Sequence, residues 1–258
     1  MNYLFAWYEL MTTDLDAATG FYGKVLGWQA MPAPGAPPGM DYRLLALPGA
    51  PPSAGLMALP EPARAMGVPP NWLGYVAVES AAAALAKAVA LGATVVVPVT
   101  EIPEMIRFAC IMDPQGAALG FMEPINPPPD AKPDYMAVGR VGWHELYAAD
   151  LDAALAFYAA LFGWQKQQAM DMGPMGIYQM YGLGETMLGG MMQKPPTMPQ
   201  AAWGYYVNVA DIDVALAASS DNGGKLFHGP QQVPGGSWVV NCQDPQGAVF
   251  SMVGARKG

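Results

Sequence analysis

Residues 6–28 read AWYELMTTDLDAATGFYGKVLGW, and residues 142–164 read GWHELYAADLDAALAFYAALFGW. The stretches lie 136 positions apart and share Trp, Glu-Leu, Asp-Leu-Asp-Ala-Ala, Phe-Tyr and Gly-Trp at matching places. A second pair follows, DPQGAA at 113–118 and DPQGAV at 244–249. Long-offset self-similarity of this kind marks repeated structural units. The chain therefore reads as two similar halves, a domain over 1–124 and a domain over 138–258. The Pro-rich stretch 125–137 (INPPPDAKPDYMA) reads as an extended linker between them.

Each half divides again. Tyr3–Thr12 reads as a strand and Asp14 as a helix N-cap. Leu15–Leu26 reads as a helix with Leu15, Ala18, Tyr22, Val25 and Leu26 on one face, stopped by Gly27. Short strands follow near Trp28–Met31, Asp41–Leu47 and Gly55–Leu59. The order β-α-β-β-β then repeats with a strand at Gly74–Val78 and an Ala-rich helix at Glu79–Leu91. Strands near Thr94–Pro98, Met105–Met112 and Ala117–Glu123 complete it, with DPQG as the hairpin turn between the last two. The second half follows the same scheme from Val138 and from Ala202. The fold class is α+β: four βαβββ units, paired so that each pair forms an incomplete barrel or cup large enough for a small molecule.

This order of elements, with D-L-D-A-A-x-x-F-Y-x-x-x-x-G-W after the first strand, resembles the vicinal oxygen chelate superfamily. Glyoxalase I, extradiol dioxygenases, methylmalonyl-CoA epimerase and bleomycin-resistance proteins belong to it. W-x-E-L with D-P-Q-G-A is similar to its tandem two-domain branch, labelled glyoxalase, lyase or hydroxylase, which includes a secreted mycobacterial antigen. The resemblance implies metal ligands of the His, Glu or Gln type on inward-facing strand positions. It places them at Trp7, near Met57 and Leu73, and at Gly120 in the first half. In the second half it places them at Trp143, near Met191 and Gly204, and at Ser251. None of these side chains suits the metals the superfamily uses, so the expectation is no metal and no cofactor.

Composition narrows the function further. Charged residues make up only 13% of the chain and hydrophobic residues 53%, with 19 methionines. That balance favours a large core and adaptable apolar lining. A net charge of −9 with no basic run argues against nucleic-acid partners. No apolar stretch reaches the roughly 18 residues of a membrane span. Met1–Leu10 has no basic leader and contains Glu9. Cys110 and Cys242 read as buried thiols offset to opposite faces, in a cytoplasmic protein. No P-loop, G-x-G-x-x-G or G-x-S-x-G motif is present.

What remains for chemistry is Glu9 and Glu145. Strand alternation puts each on the inward face with Trp7 or Trp143. A carboxylate in an apolar setting can act as a general acid or base. It can also simply accept from backbone N–H groups or a Tyr hydroxyl and brace the fold. Trp7, Trp143, Tyr42, Tyr178, Met57 and Met191 are the candidate ligand-binding residues. Tyr75, Tyr205 or Tyr206, Met11, Met180 and Met192 are further candidates for the lining. Tyr8 and His144 point to the helix side, and His228 reads as a rim residue. Arg43, Arg107 and Lys194 are the cations that could meet a ligand carboxylate.

Three functions compete. One is a small-molecule binding protein for an apolar or aromatic metabolite. Another is a metal-free lyase, isomerase or cyclase working through Glu9 or Glu145. The third is a structural role with filled cups. A metal-dependent glyoxalase or extradiol dioxygenase ranks behind them. The chain is expected to act as a monomer or homodimer.

Overall fold

The structure is a computed structural model that describes residues 3–36, 39–126 and 134–257. Most of the expected linker, 127–133, lies outside the described residues. The first half runs β1 (Phe5–Thr12), α1 (Leu15–Leu26), β2 (Gln29–Pro32), β3 (Tyr42–Ala46), β4 (Ala54–Ala58), α2 (Glu61–Ala65), β5 (Asn71–Ala77), α3 (Ala81–Ala90), β6 (Thr94–Ile102), β7 (Ile106–Met112) and β8 (Ala118–Pro124). The second half runs β9 (Val141–Ala148), α4 (Leu151–Phe162), β10 (Gln165–Asp171), β11 (Ile177–Leu183), β12 (Thr186–Gln193), β13 (Ala202–Val209), α5 (Ile212–Asp221), β14 (Lys225–Gln232), β15 (Trp238–Gln243) and β16 (Val249–Gly254). Among the described residues, the short helix α2 and a 3-10 turn at Gly173–Met175 fall outside the expected order.

Each half makes one mixed eight-stranded sheet. The orders are β2-β3-β4-β1-β5-β8-β7-β6 and β10-β11-β12-β9-β13-β16-β15-β14. The repeated sequence explains the repeated geometry. Asp14 and Asp150 cap α1 and α4 by accepting from Ala17 N and Ala153 N, at 2.9 and 3.0 Å. Gly27 and Gly163 end these helices at φ 72° and 76°, in the left-handed region. The buried face of α1 includes Phe21 besides Ala18, Tyr22, Val25 and Leu26, while Leu15 sits at its edge. α3 begins two residues later than expected, because Ser80 supplies its cap by accepting from Ala83 N.

By packing, the chain forms two compact units, and each draws on both sequence halves. One comprises 1–6, 74–133 and 143–204; the other comprises 7–73, 134–142 and 205–258. The Phe-Tyr and Asp-Pro-Gln-Gly motifs account for this. In the first unit, Tyr158 on α4 donates its hydroxyl to Asp113 at 2.9 Å and accepts from Trp203 Nε1 at 3.0 Å. In the second, Tyr22 on α1 donates to Asp244 at 3.0 Å and accepts from Trp72 Nε1 at 3.0 Å. So the helix of one half clasps the hairpin turn of the other. Each Asp also orders its own turn: Asp113 accepts from the N–H groups of Gln115 and Ala117, and Asp244 from those of Gln246, Gly247 and Ala248.

His144 and Tyr8 occupy the helix-side core, as their strand parity requires. His144 is fully buried, stacks on Phe5 with centroids 3.9 Å apart, and has Nδ1 2.5 Å from the Leu188 carbonyl. Burial pushes its imidazole down to about 3, and the Leu188 hydrogen bond opposes this only in part. Both cysteines are buried and neither is in a disulfide. Burial raises the Cys242 thiol to about 11, which makes it a poor nucleophile. Among the described residues no helix is long and apolar enough to cross a membrane.

Candidate functional site

Successive side chains of a strand face opposite ways. On β1, Tyr8 and Leu10 are buried, while Trp7, Glu9 and Met11 share the other face and stay partly accessible. β4 runs parallel beside it, with Gly55 opposite Glu9 and Met57 opposite Met11. β3 is antiparallel to β4, with Tyr42 opposite Met57. The Tyr42 ring crosses β4 over Gly55. A Cβ at position 55 would stand 1.9 Å from the Tyr42 hydroxyl and 2.5 Å from its Cζ, so glycine is what lets the ring pass.

That crossing brings three expected residues together. Trp7 Nε1 donates to the Tyr42 oxygen at 3.0 Å, and the Tyr42 hydroxyl donates to Glu9 Oε1 at 2.8 Å. The three form one chain in which the indole donates to the phenol and the phenol donates to the carboxylate, which accepts at its end. Burial, then the Glu9 charge, holds the Tyr42 phenol well above its ordinary value, so it remains a donor at any working pH.

The second half builds the same face from β9, β12 and β11. Glu145 lies opposite Gly190, and Tyr147 opposite Met192. Tyr178 lies opposite Met192 and Met180 opposite Gly190. The Tyr178 ring again crosses a glycine: a Cβ at 190 would stand 2.2 Å from its Cε1 and Cζ. Trp143 Nε1 donates to the Tyr178 oxygen at 2.7 Å. Tyr147, two residues along β9, donates its hydroxyl to Glu145 Oε2.

Register corrects one expected residue. Met191 pairs with Leu146, is fully buried, and lines a cavity of about 200 Å³ on the α4 side with Leu155, Tyr158, Trp164 and Tyr181. It therefore faces away from Trp143 and Glu145, and Met192 takes the place equivalent to Met57. A slip of one residue along a strand reverses every side chain. The cations do not meet this face. Arg43 bonds Asp16, Asp41 and Thr19; Arg107 bonds Glu101 and Glu123; Lys194 donates to the Met198 carbonyl. His228 is exposed on the outermost strand β14. Of the remaining tyrosines, Tyr206 pairs with Ser251 and accepts from Asn241 Nδ2, whereas Tyr205 packs edge-on against Tyr8.

The positions implied for a metal can now be tested by their chemistry. Trp7 and Trp143 are committed to tyrosines. Met57 and Met192 offer thioethers, Leu73 and Gly204 nothing. Gly120 is covered by the Tyr75 ring, 2.2 Å from where a Cβ would stand. Ser251 Oγ accepts from Asn241 Nδ2 at 2.7 Å. Among the described residues no group of three or more His, Cys, Asp or Glu side chains could hold a metal ion. These residues do not fit the hard or borderline cation of the superfamily. Sequence reasoning missed Tyr147, Gly55, Gly190 and Asn241; only strand register exposes their partnership.

The chain matches the model of the Glyoxalase/Bleomycin resistance protein/Dioxygenase superfamily twice, over residues 4–121 and 140–252, and belongs to that superfamily. It is 32% identical to the glyoxylase-like protein CFP32 of Mycobacterium tuberculosis, across 96% of this chain and 93% of that protein. It is 28% identical to the anthracycline biosynthesis protein DnrV of Streptomyces peucetius, across 98% and 94%. In fold it is similar to the Mn(II)-bound glyoxalase from Novosphingobium aromaticivorans, at TM-score 0.64 and 14% identity, covering 98% of this chain and 83% of that one. It is also similar to 2,2',3-trihydroxybiphenyl 1,2-dioxygenase from Sphingomonas wittichii, at TM-score 0.67 and 12% identity, covering 98% and 90%.

Proposed function

We propose that this superfamily member binds a planar aromatic small molecule on its two Trp-Glu-Tyr faces, without the metal its relatives use. The observation that carries the reading is the hydrogen-bonded chain Trp7–Tyr42–Glu9, which starts from Trp7 at the first-strand position where the superfamily resemblance implies a metal ligand. An indole held edge-on by a phenol keeps its ring face for stacking. Met57 and Met192 supply polarizable, adaptable walls beside it. The likeness to the anthracycline biosynthesis protein DnrV supports the same ligand class, a fused aromatic system. The proposal extends to a cytoplasmic chain that works as a monomer or homodimer, with no cofactor and no nucleic-acid partner.

A second reading follows from the carboxylates. Each accepts a tyrosine hydroxyl, so each sits at a point where a proton can be held or passed. A bound substrate with an acidic C–H or O–H over Glu9 or Glu145 would then undergo lyase, isomerase or cyclase chemistry by proton transfer.

Calorimetric titration of untagged protein with 2-naphthol and with alizarin tests the binding reading. Saturable binding is expected, weakened about three- to tenfold by Trp7→Leu or Trp143→Leu. Absence of saturation with both probes up to about 1 mM, the weakest affinity worth calling a site, would overturn it. Where turnover of a substrate is found, Glu9→Gln and Glu145→Gln should each lower it by about two orders of magnitude. Unchanged rates in both variants would remove the proton-transfer reading.

A further inference from the structure

The two halves differ on the helix side of their sheets. In the first, Arg43 on β3 pairs with Leu56 of β4 and sends its guanidinium to α1, where it bonds Thr19 Oγ1 at 3.1 Å and Asp16 at 2.8 Å. In the second, the same offset puts Gln179 where Arg43 stands and Leu155 where Thr19 stands. Gln179 pairs with Met191 of β12, but its amide turns to the edge strand β10 and donates to the Gln167 carbonyl at 2.9 Å. Asp152, the counterpart of Asp16, is met by Lys166 of β10 instead, at 3.1 Å. The bridge that Arg43 makes from β3 to α1 is therefore not made by its counterpart from β11 to α4, and the cavity of about 200 Å³ lies there.

Its walls are Leu155, Tyr158, Trp164, Tyr181 and Met191, all buried. Their polar atoms have protein partners. The Tyr158 hydroxyl serves Asp113 and Trp203, the Tyr181 hydroxyl donates to the His144 carbonyl at 3.4 Å, and Trp164 Nε1 donates to the Tyr3 carbonyl at 2.7 Å. The walls thus offer ring faces, a thioether and aliphatic carbon. The mouth opens between exposed Ala156 and Ala159, neighbours on one face of α4, and Lys166 of β10. An apolar cavity of about 150 Å³ stays dry and takes up benzene. We infer that the cavity beneath α4 is a binding site of its own, for a neutral molecule of one aromatic ring with at most a short substituent. A carboxylate on that ring would have to part Lys166 from Asp152 or lose its water without return. Met191 faces away from Trp143 and Glu145, so this site goes beyond the aromatic-binding reading above and does not depend on it.

The test is titration of the full chain, labelled with ¹³C at its methionine methyls, with benzene and with benzoate, read by NMR. The Met191 methyl is assigned by the signal lost in Met191→Leu, a swap of similar volume. Benzene should shift that methyl saturably, with a Kd of about 1 mM or tighter. Benzoate should bind at least about tenfold more weakly. Gln179→Arg installs the residue of the first half, and Ala156→Phe fills the mouth from an exposed helix position. Each should raise the benzene Kd at least about tenfold, and Ala156→Phe serves alone if the Arg variant does not fold. Trp7→Leu combined with Trp143→Leu should leave the Met191 response within about twofold, since distant sites act independently. A Met191 methyl unmoved at about 10 mM benzene overturns the inference, as does one that moves as readily in the filled variants or is lost in the double Trp variant. Benzoate binding as tightly as benzene overturns the neutral class of ligand.

Discussion

Removing the hydroxyl of Tyr158 probes the clasp between the halves. The side chain is fully buried, donates to Asp113 Oδ2 at 2.9 Å and accepts from Trp203 Nε1 at 3.0 Å. Tyr158→Phe deletes one oxygen and changes no apolar contact, so no cavity penalty larger than that atom enters. It strands an indole N–H and one oxygen of a carboxylate whose residue is only 4% exposed. A hydrogen bond to a charged group contributes about 1.5–3 kcal/mol, and a stranded buried donor costs about 1–3 kcal/mol. These overlap, because Asp113 keeps its backbone donors at 2.8 and 2.9 Å. A net loss of about 3 kcal/mol follows, which at this chain length lowers the melting temperature by about 6–12 °C. Scanning calorimetry with urea unfolding as a second probe measures it. The Tyr22→Phe variant should lose a comparable amount, since Tyr22 bonds Asp244 and Trp72 in the same way. A loss below about 1 kcal/mol in both variants would refute the clasp as a stabilising device.

Two further perturbations follow from the geometry. His144 is held neutral by burial, with its folded value near 3, below the ordinary value of 6.5. The unfolded chain therefore binds one more proton between those limits, and His144 contributes stability that is present above about 6.5 and is lost as pH falls toward 3. Urea unfolding from pH 6 to pH 4 should show the wild-type chain losing about 1.4 kcal/mol per pH unit more than His144→Phe; equal slopes would mean that the imidazole titrates as freely in the folded chain. At the second face, Gly190→Ala puts a Cβ 2.2 Å from the Tyr178 ring and must push it off the β12 backbone. It should break the Trp143–Tyr178 bond and weaken aromatic binding severalfold, at a stability cost of about 1–3 kcal/mol; unchanged binding and melting would show that the ring crossing is incidental.

Local signals carried most of the fold. The caps Asp14 and Asp150, the stops Gly27 and Gly163, and the DPQG turns are chemistry between near neighbours in sequence, so spacing reveals them. The pairing of Tyr22 with Asp244 and of Tyr158 with Asp113 is a contact between halves, and no spacing encodes it. At the site, period-two alternation placed Trp7 and Glu9 on one face and Tyr8 on the other. It cannot phase β12, because GGMMQ carries no alternation of its own, so Met191 and Met192 both stand as candidates until the pairing with β9 separates them. Tyr147 escaped for another reason. Its importance lies in the partner it finds, Glu145, and in the glycine that leaves room beside it, which only the paired strands reveal.

The central claim is that Trp7 and Trp143, at the first-strand metal positions of the superfamily, serve an aromatic-binding face with their tyrosines and carboxylates and not a cation. Metal content measures it most directly, by plasma mass spectrometry on protein purified without a metal-affinity tag and after incubation with Mn, Fe, Ni and Zn salts. The donors present predict well under about 0.1 equivalent of any transition metal per chain, since indole, thioether, aliphatic and hydroxyl groups make no site for these cations. Close to one equivalent retained through gel filtration, and lost in a Glu9→Gln or Glu145→Gln variant, would contradict it and return the carboxylates to the role of metal ligands.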